Sequence, residues 1–254
     1  MGGASSVLSR AAAGAALLAG LLAYYVWRES LPQLGQWRDI ALLALVLIPA
    51  VFALVGLVLP FRDAVGLLPV GLAAIVLAIV CQKAGWGIPA NFVKLGATTT
   101  LAFWFLGYFE SALWVALIAL IVPWVDAYSV WRGPTHHIVH HQQHLFTTLS
   151  FAFPVPGEHG SANLGVPDLL FFALFLAAAA RWRLRVGWTW LALVASFGAT
   201  MAIAVWAGLA GLPALPGLAL GFLVPNADLL WAELQRARAQ NRRNTGTDTR
   251  ANSG

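Results

Sequence analysis

Two aspartates stand inside long apolar stretches of this sequence, Asp126 after Pro-Trp-Val and Asp168 after Leu-Gly-Val-Pro. An ionisable group within a membrane span costs free energy and therefore marks a candidate functional site. Two carboxyl groups held close together at low dielectric share one proton, because they cannot both ionise easily. The charged member of such a pair can take a proton from water while the protonated member polarises a carbonyl group.

The composition places most of the chain in a membrane. Hydrophobic residues make up 60% of the 254 residues, charged residues only 10%, and the mean hydropathy is +0.77. A soluble domain of this length needs more polar surface than that. The single cysteine excludes an internal disulfide. Arginine far outnumbers lysine, which is typical of GC-rich bacterial genomes.

Apolar segments close to the length of a membrane span, about 20 residues, recur along the chain. They cover residues 11–27, 40–60, 64–82, 92–109, 111–131, 164–180, 186–206 and 211–231. We therefore predict an all-α, polytopic membrane protein with eight to nine transmembrane helices. Three regions follow from this pattern: N-terminal helices (1–110), a half with both aspartates and a polar His-rich loop at 132–163 (111–232), and a disordered basic tail (233–254).

The two aspartates are predicted at comparable depth from one membrane face. Asp126 precedes Arg132 by six residues, roughly 9 Å along a helix, and Asp168 lies roughly 6 Å inside the next span. Both helices border the loop 132–163, so their ends share a face. The segment 213–216, Pro-Ala-Leu-Pro, enters from that face too, because two spans separate it from Asp168. Its two prolines predict a non-helical stretch, tolerated at membrane depth only beside protein or a water-filled cavity.

These motifs resemble, in order and spacing, those of the presenilin and signal peptide peptidase family of intramembrane aspartyl proteases, including its prokaryotic members. The family's Tyr-Asp motif is matched by Val125-Asp126, its Gly-x-Gly-Asp motif by Gly165-Val166-Pro167-Asp168, and its Pro-Ala-Leu motif by Pro213-Ala214-Leu215, followed here by Pro216. The resemblance covers residues 111–232 well and the first 110 residues hardly at all.

The resemblance implies hydrolysis of a peptide bond inside a transmembrane helix, with Asp126 and Asp168 as the catalytic dyad that activates water. Residues 165–167 then belong to the active-site motif. The non-helical stretch 213–216 would bind substrate, because an unwound segment needs backbone partners. Such chemistry needs no cofactor. We expect a transmembrane helix and the lipid bilayer as partners and no nucleic acid, with the oligomeric state left open.

Two residues depart from the family pattern. Val125 replaces the usual tyrosine, and Pro167 replaces the second glycine. Proline is well accepted in the first turn of a helix, so Asp168 can begin a regular helix. Two other functions stay open: an ion- or proton-coupled transporter that uses the aspartates, and a catalytically inactive homologue that binds helices, which both replacements favour. Cleavage of a helical substrate separates a protease from either.

The loop 132–163 contains all six histidines. His136, His140 and His144 recur at helical spacing and are candidate ligands for a divalent metal. Without a neighbouring cysteine or acidic residue, the pattern favours a solvated loop whose charge rises as the pH falls. We therefore assign no metal.

Positive charge predicts the orientation of the chain. With eight spans, one face collects Arg10, Arg62, Arg181, Arg183, Arg185, Arg236, Arg238, Arg242, Arg243 and Arg250, and the other only Arg28, Arg38, Lys83, Lys94 and Arg132. Loops rich in positive charge stay in the cytoplasm. The C-terminal tail is therefore predicted inside a bacterial plasma membrane, with the histidine loop and the mouth of the aspartate site outside.

Overall fold

The computed structural model describes residues 2–132, 150–158, 160–207 and 213–251, which form nine α-helices and one β-hairpin. The elements are α1 (Gly2–Trp27), α2 (Gln36–Leu42), α3 (Ile48–Val58), α4 (Leu67–Lys83), α5 (Gly87–Leu106), α6 (Ala112–Arg132), β1 (Ser150–Pro154), β2 (Ser161–Gly165), α7 (Val166–Arg181), α8 (Val186–Trp206) and α9 (Leu215–Ala251). A π-helical turn, Leu43–Leu47, joins α2 to α3, so these two form one continuous rod.

The described residues of each of the eight apolar segments lie wholly or mostly in a helix, which we call a helical rod. In the part of the chain that the structure describes, four rods are long and apolar enough to cross a membrane: Leu8–Ser30, Gln36–Phe61, Val186–Trp206 and Leu215–Gln240. Two further helices, Leu67–Lys83 and Ala112–Tyr128, are apolar but shorter. The prediction of a mostly helical chain is therefore confirmed. Length and composition support four crossings, and not the predicted eight to nine.

Apolar side chains cover the outer surface midway along the helices. On α4 the residues that are half or more exposed are Val70, Leu72, Val76, Leu77, Ile79 and Val80. Contiguous apolar surface of this kind is unusual on a soluble monomer. It fits a lipid environment, in which helices satisfy their own backbone hydrogen bonds and expose apolar side chains.

Helix α7, which begins two residues before Asp168, lies at the centre of the bundle. All its residues from 172 to 179 are buried, as expected for a helix that is apolar on every side. Phe172 stacks on Phe52 of α3 with ring centroids 3.8 Å apart, and Phe175 on Phe222 of α9 at 5.1 Å. Because α5, α6, α8 and α9 also pack against it, α7 holds its first turn in a fixed position.

Helix α9 packs closely on α8 through two glycines spaced four residues apart. A Cβ added at Gly221 would lie 3.1 Å from the backbone of Ala192, and one at Gly217 would lie 3.2 Å from Ser196. Small residues at this spacing let two membrane helices approach each other. The close contact fixes α9, whose first turn belongs to the candidate site.

The C-terminal segment differs from its prediction. Helix α9 continues to Ala251 and so covers most of the segment 233–254 that composition predicts to be disordered. Residues 232–240, Ala-Glu-Leu-Gln-Arg-Ala-Arg-Ala-Gln, are good helix formers. They extend a helix that packing has already nucleated, so each added residue avoids the cost of nucleation.

A β-hairpin occupies part of the segment predicted to be a polar loop. Strands β1 and β2 pair antiparallel, with Ser150 opposite Gly165 and Pro154 opposite Ser161. The sequence of β1, Ser-Phe-Ala-Phe-Pro, alternates apolar and small residues with the period of a strand. Its two phenylalanines, Phe151 and Phe153, are buried. The predicted polar loop 132–163 therefore contains β1 and the first three residues of β2, and β2 includes the first two residues of the predicted span 164–180.

Candidate active site

Asp168 is the third residue of α7, and the strand–helix junction fixes its side chain. Gly165 caps the helix in an extended conformation, with φ −63° and ψ 146°, and its backbone N–H donates to the Asp168 carboxyl. An acidic side chain at the third helical position that binds the capping residue's N–H is half of a capping box. Pro167 stands in the first turn, where a helix has no acceptor for the N–H that proline lacks.

Gly165 allows a close approach to this carboxyl. A Cβ added there would lie 3.1 Å from the Oδ2 atom of Asp168, so any larger residue would have to displace the carboxyl. Glycine at position 165, the first glycine of the motif, therefore leaves room for the Asp168 carboxyl.

Asp126 lies in the C-terminal part of α6, three residues after a proline inside the helix. Because Pro123 has no N–H, the carbonyl of Ala119 loses its helical donor, and the helix is loosened one turn before Asp126. The Oδ2 atom of Asp126 accepts a hydrogen bond of 3.2 Å from the backbone N–H of Leu215. Both aspartates are partly buried.

The segment 213–216 is only half non-helical. Pro213 and Ala214 precede the helix, whereas Leu215 begins α9 and Pro216 lies in its first turn. The prediction of a non-helical stretch through Pro216 is therefore wrong, because proline fits a first helical turn as well as it fits a break. The carbonyl of Ala214 accepts the N–H of Leu218 at 3.1 Å, which starts the helical ladder.

The structure thus brings the three sequence motifs together. The N–H of Leu215 binds Asp126 across 89 positions of sequence, and α6, which carries Asp126, packs against α7, which carries Asp168. Each carboxyl is oriented by one backbone N–H, from Leu215 or from Gly165. A pair of oriented carboxyl groups at the ends of two packed helices has the composition needed to bind and activate water.

The outer edge of β1 is closed by side chains from α1 and α5. Asn91 pairs with both backbone groups of Ala152, donating to its carbonyl at 2.9 Å and accepting its N–H at 2.8 Å. The carbonyls of Pro154 and Ser150 accept bonds of 2.8 Å from Tyr24 and 2.6 Å from Lys94.

Among the described residues, no strand pairs with the outer edge of β2, which we call the open edge of the hairpin; there the carbonyl of Ser161 accepts the side-chain amide of Asn163 at 3.4 Å. The N–H and C=O groups of Ala152 point away from β2. In an antiparallel pair, two opposed residues either hydrogen-bond to each other or both point outward, so the N–H and C=O groups of Asn163, opposite Ala152, point away from β1. The period of two extends this to Ser161 and Gly165, and Asn163 is exposed. The open edge therefore runs from Ser161 past Asn163 to Gly165, whose N–H binds Asp168.

Sequence reasoning overlooked a third buried aspartate. Asp39 is 8% exposed in the first turn of α2, and its Oδ1 atom has no hydrogen-bond partner among the described residues. It lies at the start of the rod Gln36–Phe61. A charged residue at the end of a membrane helix is common, so the position of Asp39 offered no reason to single it out. Its burial comes from tertiary packing, which sequence spacing does not reveal.

A buried side-chain amide, that of Asn226, joins the first half of α9 to the N-terminal end of α8. The side chain of Asn226 is fully buried, donates to Thr189 Oγ1 and to the carbonyl of Phe222 at 2.8 Å each, and accepts the N–H of Arg185 at 3.0 Å. Close by, Arg185 forms a bidentate pair with Asp228, at 2.7 and 2.6 Å. These bonds set the register of α9 and so the position of its first turn.

We expect Asn226→Ala to lower the free energy of unfolding by about 1–2 kcal/mol, because it leaves the Thr189 hydroxyl and the Arg185 N–H without their partner. Thermal unfolding in detergent would measure this. Arg236→Ala, at an exposed position of the same helix, is the control and should change stability little. Equal stability of the two variants would contradict a role for Asn226 in holding α9.

The histidine cluster and Val125 were also singled out from the sequence. The candidate metal ligands His136, His140 and His144 lie outside the described residues. Val125 is 62% exposed, so its replacement of the usual tyrosine creates no cavity in the core.

No protein-family model matches this sequence, and no curated protein or solved structure shows a significant match to it. The geometry of the site must therefore carry the functional argument.

Proposed function

We propose that this chain is an intramembrane aspartyl protease, with Asp126 and Asp168 as its catalytic dyad. One observation carries the proposal: Asp126, Asp168 and the first turn of α9, far apart in sequence, meet at one site in a helical, lipid-compatible bundle. A purely structural role for two such carboxyl groups would be costly, since each needs compensation within the membrane.

The proposed reaction needs water and the two side chains only. The charged carboxylate takes a proton from water as the water oxygen attacks the scissile carbonyl carbon, while the protonated carboxyl donates to the carbonyl oxygen. Collapse of the tetrahedral intermediate breaks the C–N bond as the first carboxyl returns its proton to the leaving amine, and the second carboxylate takes a proton back from one of the two hydroxyl groups on the former carbonyl carbon. The dyad regains its single shared proton at the end of the cycle.

The open edge of β2 supports this proposal from the side of the substrate. A peptide bond in a helix is covered by its own hydrogen bonds, so the helix must unwind before water can attack. An unwound segment then needs new backbone partners, which a free strand edge supplies. An extended segment added along Ser161 and Asn163 would continue toward Gly165, next to Asp168.

The direct test is cleavage of a tagged transmembrane helix by the purified, detergent-solubilised protein. We expect two fragments whose new termini, determined by mass spectrometry, lie inside the apolar segment of the reporter. A reporter that stays intact under conditions in which the protein is folded would contradict the proposal. Measuring ion flux in liposomes with the same preparation distinguishes a transporter, which should move charge and leave the reporter whole.

The proline of the aspartate motif offers a further test. We expect Pro167→Gly to keep the fold and the cleavage activity, while lowering the free energy of unfolding by about 0.4–1 kcal/mol through the added freedom of the unfolded chain. The exposed position of Pro167 in the first turn is the reason. The matched measurements are thermal unfolding and reporter cleavage. Loss of all cleavage in a folded Pro167→Gly protein would mean that the proline has a role of its own.

We further propose that the chain lies in a bacterial plasma membrane, with the C-terminal end of α9 inside and the dyad near the outer face. Exposed side chains at the two ends test it: Glu158 in the hairpin turn and Arg183 between α7 and α8. In a Cys81→Ala background, we expect Glu158→Cys to react with a membrane-impermeant thiol reagent in intact cells, and Arg183→Cys only after lysis. The reverse pattern would overturn the orientation.

A further inference from the structure

A cavity with two guanidinium groups opens at the end of the bundle remote from the dyad. It measures about 420 Å³ and lies between the α3–α4 connection and the C-terminal ends of α5 and α7. Arg62 and Arg181 line it together with Trp104 and Phe103, and Asp63 is its acidic member. Asp168 and Arg181 lie at opposite ends of α7, thirteen residues or roughly 20 Å apart, so this cavity is separate from the candidate active site.

Each arginine is held in place by a backbone carbonyl. Arg62 donates through Nη1 to the carbonyl of Leu59 at 3.2 Å, and Arg181 donates through Nη1 to the carbonyl of Leu106 at 3.0 Å. These bonds orient the two planar groups without neutralising their charge. A guanidinium oriented in advance loses little conformational freedom when it binds an anion.

Arg62 is incompletely paired. Its buried Nε atom lies 3.3 Å from Oδ2 of Asp63 but makes no hydrogen bond with any described residue. The Asp63 side chain is 57% exposed, and an ion pair this exposed contributes little. Two arginines against one aspartate leave the cavity with a net positive charge and one buried donor to satisfy.

The surroundings favour an anion that carries apolar chains. Phe61, Val65 and Val70 are all more than half exposed beside the cavity. Indole and phenyl rings form part of its wall, and aromatic side chains are typical of the membrane interface. Arg183 and Arg185 follow α7 at the same end. Basic pockets between helices at a membrane surface are suited to phosphate head groups, because guanidinium binds phosphate in a bidentate manner.

We propose that this cavity binds the phosphate group of an anionic phospholipid, with the acyl chains lying along the exposed apolar surface of α4. Arg62 and Arg181 contact the phosphate oxygens, and Asp63 weakens the site by competing for Arg62. This inference is independent of the proposed proteolysis.

Native mass spectrometry of the whole purified chain in a neutral detergent tests the proposal. The probes are phosphatidylglycerol and phosphatidylcholine with the same acyl chains, titrated onto the lipid-free protein. Both lipids carry the phosphate, but the two guanidinium groups repel the choline cation of phosphatidylcholine, so we expect phosphatidylglycerol to bind about tenfold more tightly. Equal retention of the two lipids by the wild-type protein would overturn the proposal whatever the variants do.

Three variants make the test specific to the cavity. We expect Arg62→Gln to remove most of the preference for phosphatidylglycerol, since glutamine can still donate to the Leu59 carbonyl but carries no charge. Asp63→Asn should strengthen the preference by removing the competing carboxylate. Arg183→Gln, at an exposed arginine of the same face outside the cavity, should leave it unchanged. A similar loss in Arg62→Gln and Arg183→Gln would indicate attraction by the whole surface and overturn the site.

Inorganic phosphate distinguishes the lipid from a free anion. If millimolar phosphate leaves phosphatidylglycerol bound, the acyl chains contribute and the lipid is the ligand. Displacement of the lipid by phosphate at that concentration would show a site for the free anion and overturn the assignment to a phospholipid.

Discussion

Replacing either aspartate of the dyad by asparagine is expected to reduce reporter cleavage by a factor of about 10³ or more while the protein stays folded. Asparagine preserves the shape of the side chain and keeps one oxygen as an acceptor. Asp126→Asn can therefore still accept the N–H of Leu215, and Asp168→Asn that of Gly165. What is lost is the proton that the pair shares, and general acid–base catalysis alone contributes about 10²–10⁴ in rate.

Alanine variants of the same positions are expected to lose cleavage and also some stability. Asp126→Ala leaves the N–H of Leu215 without its acceptor, and an unsatisfied buried donor costs about 1–3 kcal/mol. The comparison of alanine with asparagine thus separates the structural part of each carboxyl from its chemical part. Reporter cleavage and thermal unfolding, measured on the same preparations, provide both numbers.

Asp39→Asn is the matched control for the dyad variants. Asp39 is also a buried aspartate in the first turn of an apolar rod, but it belongs to α2 and is not part of the proposed dyad. We expect this variant to keep its cleavage activity. Cleavage retained in Asp126→Asn or Asp168→Asn, or lost equally in all three variants, would contradict the assignment of the dyad.

The parts of the fold that could be predicted from the sequence are those governed by local composition. The apolar segments locate the helical rods, because a rod in lipid needs an apolar surface along its length. The packing of the helix that carries Asp126 against the one that carries Asp168 followed from the single connection between them. The hydrogen bond from Leu215 to Asp126 did not, since it depends on the rotation of α9 about its own axis.

The hairpin shows why other parts could not be predicted. Five alternating residues in β1 form too short a pattern to outweigh the histidine-rich segment before them. What stabilises the strand is non-local: Asn91 and Tyr25, more than 60 residues away in sequence, bind the backbone of Ala152. The register of α9 is similarly set by Asn226 and Thr189, two polar residues with nothing in their local sequence to pair them.

The two edges of the hairpin differ, because side chains from α1 and α5 cover the outer edge of β1 but, among the described residues, not that of β2. Side chains from α1 and α5 occupy the outward groups of β1 at Ser150, Ala152 and Pro154. Within the ranges that the structure describes, β2 is therefore the edge of this hairpin that is left available to a third strand. An unpaired strand edge is a template for another extended chain, and proteins commonly cover such edges where no partner is intended.

Proline at position 163 tests whether substrate uses this edge. The backbone N–H of Asn163 points away from β1, so Asn163→Pro removes a donor from the open edge and leaves the ladder between β1 and β2 intact. We expect it to lower reporter cleavage about tenfold relative to Asn163→Ala, the value of one backbone hydrogen bond of about 1.4 kcal/mol. Both variants lose the bond from Ser150 Oγ to the Asn163 side chain, so their unfolding temperatures should be equal.

Two variants at this strand complete the experiment. Asn163→Ala removes the side chain but keeps the N–H, so its cleavage rate should stay close to that of the original protein. Ala162→Pro removes an N–H that points toward β1, opposite Phe153, and should lower both the unfolding temperature and the cleavage rate. Equal cleavage by Asn163→Pro and Asn163→Ala would show that substrate does not pair with β2, while leaving the role of the dyad unaffected. A tenfold difference between them, at equal unfolding temperature, would mean that the edge leading to Gly165 positions the unwound substrate beside Asp168.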